Sequence, residues 1–149
     1  MDRTAFLRRV EAYHKAGWRL ALINATTVMA AEGEGAEGGE ETFELAWGFA
    51  RDGRPSEGAD EAAGTLELIR ETVKPGEEVP SVSGYFGAAF LYENELRELF
   101  GIDVTGIEVD LKGQLYKTAT RIPFSHRAVR ERLEASGGAP GATPGKARS

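Results

Sequence analysis

Thr42-Phe43-Glu44-Leu45-Ala46-Trp47-Gly48-Phe49-Ala50 is the stretch on which the fold turns. Large apolar residues at 43, 45, 47 and 49 alternate with Thr42, Glu44, Ala46 and Gly48, a period of two that an extended chain converts into one buried face. The spacing predicts a strand. Downstream, Arg51-Asp52-Gly53-Arg54-Pro55 has the composition of a turn. Upstream, residues 32–41 hold five Glu, four Gly and one Ala, a set of like charges without apolar side chains that predicts a solvated, flexible hairpin loop. The other arm of that hairpin is expected between Trp18 and Ala31, where Leu20, Leu22 and Ile23 precede the β-branched Thr26, Thr27 and Val28.

Residues 2–16 place Ala5, Phe6, Val10 and Tyr13 near one helical stripe, with Asp2 as cap and Gly17 as terminator. Beyond the turn, Ala62, Leu66, Ile69 and Val73 fit a helix while Leu66 and Leu68 also fit a strand, and bare periodicity leans to helix. Pro80 to Gly84 reads as an extended approach to a helix over residues 88–100, with Ala89, Tyr92, Leu96, Leu99 and Phe100 on one side and Gly101 closing it. Residues 102–120, broken by Gly106 and Gly113, read mostly as loop. Ser125 to Glu134 reads as a short basic helix with Ser125 as cap and Val129 and Leu133 as its apolar stripe. The Gly- and Pro-rich residues from Ser136 to 149 predict a disordered tail outside a single domain spanning residues 1–135.

Composition narrows the function. A chain of 149 residues, 41% hydrophobic, can build one core that buries roughly 70% of its unfolded surface. Its net charge of -6 has the wrong sign for neutralising phosphates, so no nucleic acid partner is expected. There is no cysteine, and His14 and His126 lie far apart, which removes thiolate chemistry, zinc ribbons and ordinary iron-sulfur clusters. No apolar run approaches the roughly 20 residues a bilayer needs, and the charged start has no signal-peptide core, so a cytoplasmic location is expected.

The densest run of functional groups is Tyr92-Glu93-Asn94-Glu95-Leu96-Arg97-Glu98-Leu99-Phe100-Gly101. On a helix Glu95 and Glu98 share a face at i,i+3 and invite an acid/base reading, which would make the chain a stand-alone enzyme or a binding domain. Glu93 and Arg97 form a favourable i,i+4 pair, and salt bridges or interface contacts account for the run with less chemistry. His126 has no acidic orienting neighbour, and Ser81 and Ser83 lack a nucleophile-elbow pattern, so capping and turn roles suffice for them. The glycines of 32–41 are interspersed with glutamates that repel phosphate. Residues 112–132 are net positive inside an acidic chain, which is either a solvated face or a surface for an acidic partner. The run Tyr85-Phe86-Gly87-Ala88-Ala89-Phe90 belongs partly to the core and is also suited to seat another subunit.

Residues 79–101, VPSVSGYFGAAFLYENELRELFG, resemble the signature of the 30-kDa subunit family of respiratory complex I, the NADH:quinone oxidoreductase, and look most like its short version in membrane-bound energy-converting hydrogenases of the Ech type. The family runs from a Pro-Ser-Ile-Ser-like approach, through small and aromatic residues, to a helix patterned Glu-x-Glu-x-x-Asp-x-Phe-Gly-Ile. Here those positions are Pro80 to Ser83, then Glu93, Glu95, Glu98, Phe100, Gly101 and Ile102. Glu98 stands where the family usually has Asp. The Gly-His-Pro-Asp-Leu-Arg-Arg continuation of the complex I form is replaced by Gly106-Ile107-Glu108-Val109-Asp110-Leu111-Lys112, and the stretch from Gly113 to Lys117, ending in Pro123-Phe124, looks closer to the hydrogenase branch.

The resemblance implies that Gly64 to Val73 is a third strand, and so an α+β fold: a small, mainly antiparallel sheet with the first helix packed on it and the signature helix after it. It also implies a non-catalytic peripheral-arm subunit with no cofactor of its own. Its neighbours would be a nickel-iron hydrogenase-like large subunit, an iron-sulfur small subunit and a ferredoxin-like subunit, which carry the NiFe centre and the iron-sulfur clusters. Such a complex couples electron transfer to ion translocation on the inner face of the cell membrane, reached only through partner subunits. The interface residues would be Pro80, Ser81, Tyr92, Glu93, Glu95, Arg97, Glu98, Phe100 and Gly101, the charged ones setting register by pairing.

Overall fold

A computed structural model describes residues 1–29, 41–52, 64–118 and 121–135. The hairpin loop up to residue 40, the turn from Gly53 and the tail from Ser136 lie outside the described residues. Helix α1 (Arg3–Lys15) begins where the Asp2 carboxylate accepts the Ala5 N–H at 3.0 Å, and it ends before Gly17, whose φ of 76° is a left-handed value. Strands β1 (Arg19–Met29), β2 (Glu41–Arg51) and β3 (Thr65–Val73) form an antiparallel sheet in the order β1-β2-β3. The helix that bare periodicity favoured in the third segment is absent, because Ile69 pairs opposite Trp47 and Val73 opposite Phe43, and both are buried only in that extended register.

The alternation in β2 orders the whole core. Phe43, Leu45, Trp47 and Phe49 all face inward, against Ile23 and Ala25 of β1 and Ile69 and Val73 of β3. Helix α1 covers them: Phe6 meets Trp47 with centroids 4.6 Å apart, and Tyr13 stacks on Phe49 at 4.3 Å. Ala5, placed on the apolar stripe by spacing, is exposed. On the outer face Asn24, Thr26, Glu44, Arg70 and Thr72 line a polar groove at one end. At the other end Leu22 and Leu68 close over Gly48, where a Cβ would lie 2.9 Å from Leu22 Cγ and 3.3 Å from Leu68 Cδ2.

After β3 the chain forms a second, smaller unit. Strand β4 (Glu78–Pro80) leads through a turn into helix α2 (Ala89–Glu95), which continues into a π-helical turn (Leu96–Phe100). Strand β5 (Asp103–Thr105) then returns parallel to β4, with Val79 opposite Val104. A parallel pair needs a crossover, and here the signature helix is that crossover. Two expectations are corrected: the helix is not uniformly α, and residues 103–105 of the expected loop are a strand. The helix closes on a left-handed Gly101 at φ 72°, whose N–H donates to Arg97 O as in an αL cap, while the Ile102 N–H reaches back to Leu96 O.

Helix α3 (His126–Ala135) is anchored by a residue that composition had assigned to the solvated loop. Glu41, the first residue of β2, is only 6% exposed. Its carboxylate accepts the His126 N–H at 2.7 Å, the Arg127 N–H at 3.4 Å and the Ser125 hydroxyl at 3.0 Å, satisfying donors that a helix start leaves open. Replacing Glu41 by Ala is expected to cost about 1 kcal/mol, the usual loss for a removed helix cap. Denaturant unfolding measures the loss, and hydrogen exchange should place it at the first amides of α3.

Candidate functional site

The polar residues of the signature helix are engaged inside their own chain. Glu93 is 2% exposed, and its carboxylate accepts the Ser81 hydroxyl and the Val82 N–H, each at 2.6 Å. Ser81 Oγ also lies 2.7 Å from Ser83 Oγ and accepts the Ser83 N–H, while Ser83 Oγ accepts the Glu108 N–H at 3.0 Å. Burial pushes the Glu93 carboxyl above its ordinary range, against the hydrogen bonds from Ser81, Val82 and Ser83 that pull it down, and burial prevails. The expected Glu93–Arg97 pair does not form. Glu93 turns inward to the β4–α2 turn, and Arg97 reaches forward to Asp110, with Nη1 3.0 Å from Oδ2.

Asn94, which sequence reasoning passed over, holds the next segment. Its side-chain N–H groups donate to Phe90 O at 2.7 Å and Val109 O at 2.8 Å, and its carbonyl accepts the Leu111 N–H at 2.9 Å. A buried Asn in a helix interior is a signal in itself, since such a residue weakens a helix unless its side chain is fully bonded. Glu98, from the π-helical turn, accepts the Leu115 and Tyr116 N–H groups, each at 2.8 Å. The Lys112 N–H and the Arg97 side chain hold the Asp110 carboxyl below its ordinary range.

The structure therefore brings Pro80, Ser81 and Glu93 together at one end of the helix, and Arg97, Glu98 and Gly101 at the other. Tyr92 is half-buried, with its hydroxyl 3.5 Å from Ala21 O of β1. Phe100 packs edge-on to Phe43 and against Phe124 at a centroid distance of 5.1 Å. Beside Arg97 and Glu98 lies a cavity of about 490 Å³, whose wall includes Asp110, Lys112, Tyr116 and Arg121. Glu95 does not line it, so Glu95 and Glu98 do not converge there as an acid and base would have to. Both Glu98 oxygens are already occupied by backbone amides.

Among the described residues no group of three His, Asp or Glu side chains is placed to hold a metal ion, and no helix is long and apolar enough to cross a membrane. Residues 8–126 match the family described as respiratory-chain NADH dehydrogenase, 30 Kd subunit. The chain belongs to that family. No individual curated protein and no solved structure gives a significant match.

Membership in the 30 Kd subunit family makes this chain a subunit of an oxidoreductase complex, with partner subunits, and accounts for the layout described above. The matched residues run from α1 to the first residue of α3, so they take in the three-stranded sheet, the signature helix and the cavity wall alike. Within the 30 Kd subunit framework the signature helix is a clamp: from one side it fixes the β4–α2 turn, from the other the segment 109–116.

Proposed function

We propose that this chain is a non-catalytic peripheral-arm subunit of a membrane-bound energy-converting hydrogenase or of a closely similar complex I-like oxidoreductase. Residues 1–135 act as one α+β domain that carries no cofactor. The domain holds a hydrogenase-like large subunit against an iron-sulfur small subunit and a ferredoxin-like subunit, so that electrons pass between centres in those neighbours and drive ion translocation. Its place is the inner face of the cell membrane, reached through the complex.

The inward engagement of Glu93, Asn94 and Glu98 carries this reading. Groups that bind their own backbone at 2.6–2.9 Å shape a rigid surface and are not free to handle a substrate. Electron transfer needs centres this chain has no thiolates to hold, so its contribution is positional. The sequence after Gly106, which lacks the histidine-containing continuation of the complex I form, favours the hydrogenase branch. The interface consists of Tyr92, Glu95 and Phe100 on the helix and the segment that Arg97 and Glu98 hold in place; Pro80, Ser81, Glu93 and Gly101 set its shape from within.

Affinity purification of the tagged chain from its native membranes, followed by mass spectrometry of what it retains, tests the proposal. A nickel-iron large subunit and iron-sulfur subunits are expected, and Glu95→Lys is expected to reduce their recovery while the variant's circular dichroism stays unchanged. A monodisperse chain that retains no oxidoreductase subunit, or that turns over a substrate alone, would overturn it.

A further inference from the structure

The cavity beside the π-helical turn is lined by two acids and three bases, and the acids are both spoken for. Glu98 is bonded to the Leu115 and Tyr116 amides. Asp110 is bonded to Arg97 and, through Oδ1 at 2.8 Å, to the Lys112 N–H. Lys112 and Arg121 have no ion pair with another described residue. The wall thus presents two cations that form no ion pair with another described residue, Lys112 near enough to Asp110 to help lower its carboxyl, above a framework whose own carboxylates are already engaged. Tyr116, 45% exposed, stands beside them.

The backbone is committed to this arrangement. Lys112 and Ile122, both lining the cavity, hold φ values of 52° and 51°, a region that side-chain-bearing residues rarely adopt and a β-branched residue least of all. Glycine would sit there without strain, as Gly113 does next to Lys112 at φ 74°. A lysine and an isoleucine in its place give the cavity wall a cation and an apolar side chain.

We propose that this cavity receives an acidic segment of a neighbouring subunit, an Asp or Glu side chain entering between Lys112 and Arg121 with Tyr116 alongside. The inference rests on the subunit reading above and names the chemistry of one contact. Charge complementarity favours an acidic side chain, because Arg97, Lys112 and Arg121 outnumber Glu98 and Asp110 in the wall and both of those carboxylates are already engaged by their own chain.

Two measurements test it. In the first, the full chain is titrated with hexaglutamate peptide and its backbone amide resonances are followed. Saturable shifts are expected at Lys112, Gly113, Tyr116 and Thr118, weakened by raised salt and weakened about tenfold in the variant K112E/R121E. Should that reversal unfold the chain, K112Q/R121Q replaces it. Absence of saturable shifts, or equal shifts in the variant, overturns the proposal. In the second, the purified complex is treated with a carbodiimide. Cross-links from Lys112 to an acidic segment of another subunit support the proposal, and an intact complex in which Lys112 links only within its own chain overturns it while leaving the subunit reading in place. If no oxidoreductase subunit is recovered with the chain, the subunit reading falls, and the peptide titration alone decides the cavity.

Discussion

Replacing Glu93 by Ala is expected to lower the stability of the chain by about 3 kcal/mol, whereas Glu93→Gln should cost far less. The alanine leaves the Val82 N–H without an acceptor in a buried turn, costing about 1 to 3 kcal/mol, and removes apolar stem contacts besides. Glutamine keeps an oxygen for Val82 and offers an N–H to Ser81, whose hydroxyl then turns to Ser83. The same site sets a pH dependence of definite sign. The Glu93 carboxyl is raised in the folded state, so the folded chain holds this proton more tightly than the unfolded chain does. Its contribution is fully present below the unfolded carboxyl range and is lost as pH rises through the higher folded value. Glu93→Gln should remove that fall. Urea unfolding of both chains at a series of pH values across and above the carboxyl range checks it, and a wild-type profile in which this contribution grows with pH would contradict the burial argument.

The second large effect is expected at the other end of the helix. Gly101→Ala meets two obstacles at once: a φ of 72°, which costs an L-residue about 1 to 2 kcal/mol, and a Cβ that would lie 2.9 Å from Ile122 Cγ2 and 3.1 Å from its Cδ1. The Cγ2 atom is fixed close to the backbone, so the contact cannot be relieved by swinging a chain end aside. A total of about 2 to 3 kcal/mol is expected, with strain of overpacking added to that of the dihedral. The double variant G101A/I122A separates the two, because trimming Ile122 relieves the contact and leaves the dihedral. Thermal and denaturant unfolding of the single and double variants measure the division. Equal destabilisation of G101A with and without Ile122 would show that the contact contributes nothing.

These sites show where the sequence was readable. Residues 42–50 disclosed the sheet because their pattern has one physical solution, and α1 followed from Asp2, Phe6, Val10 and Gly17. The third strand was not legible from its own periodicity. Its Thr65–Leu68 end is exposed, so Leu66 and Leu68 lie outside the core and cannot report a face by burial, and only the family resemblance decided between helix and strand. The candidate site was legible as a cluster but not as a geometry. Spacing placed Glu93 next to Arg97 on one helical face, and spacing knows nothing of partners distant in the chain: the Val82 amide, Asp110, and the amides of residues 115 and 116. Glu41 was misplaced for a similar reason, since its loop-like neighbours gave no hint of a helix start waiting for it.

That last contact has a consequence for pairing in the sheet. Side chains alternate along β2, so a slip of one residue in its pairing would turn Glu41 away from α3 as surely as it would expose Trp47. The cap of α3 and the register of the hairpin therefore depend on one another through a single side chain.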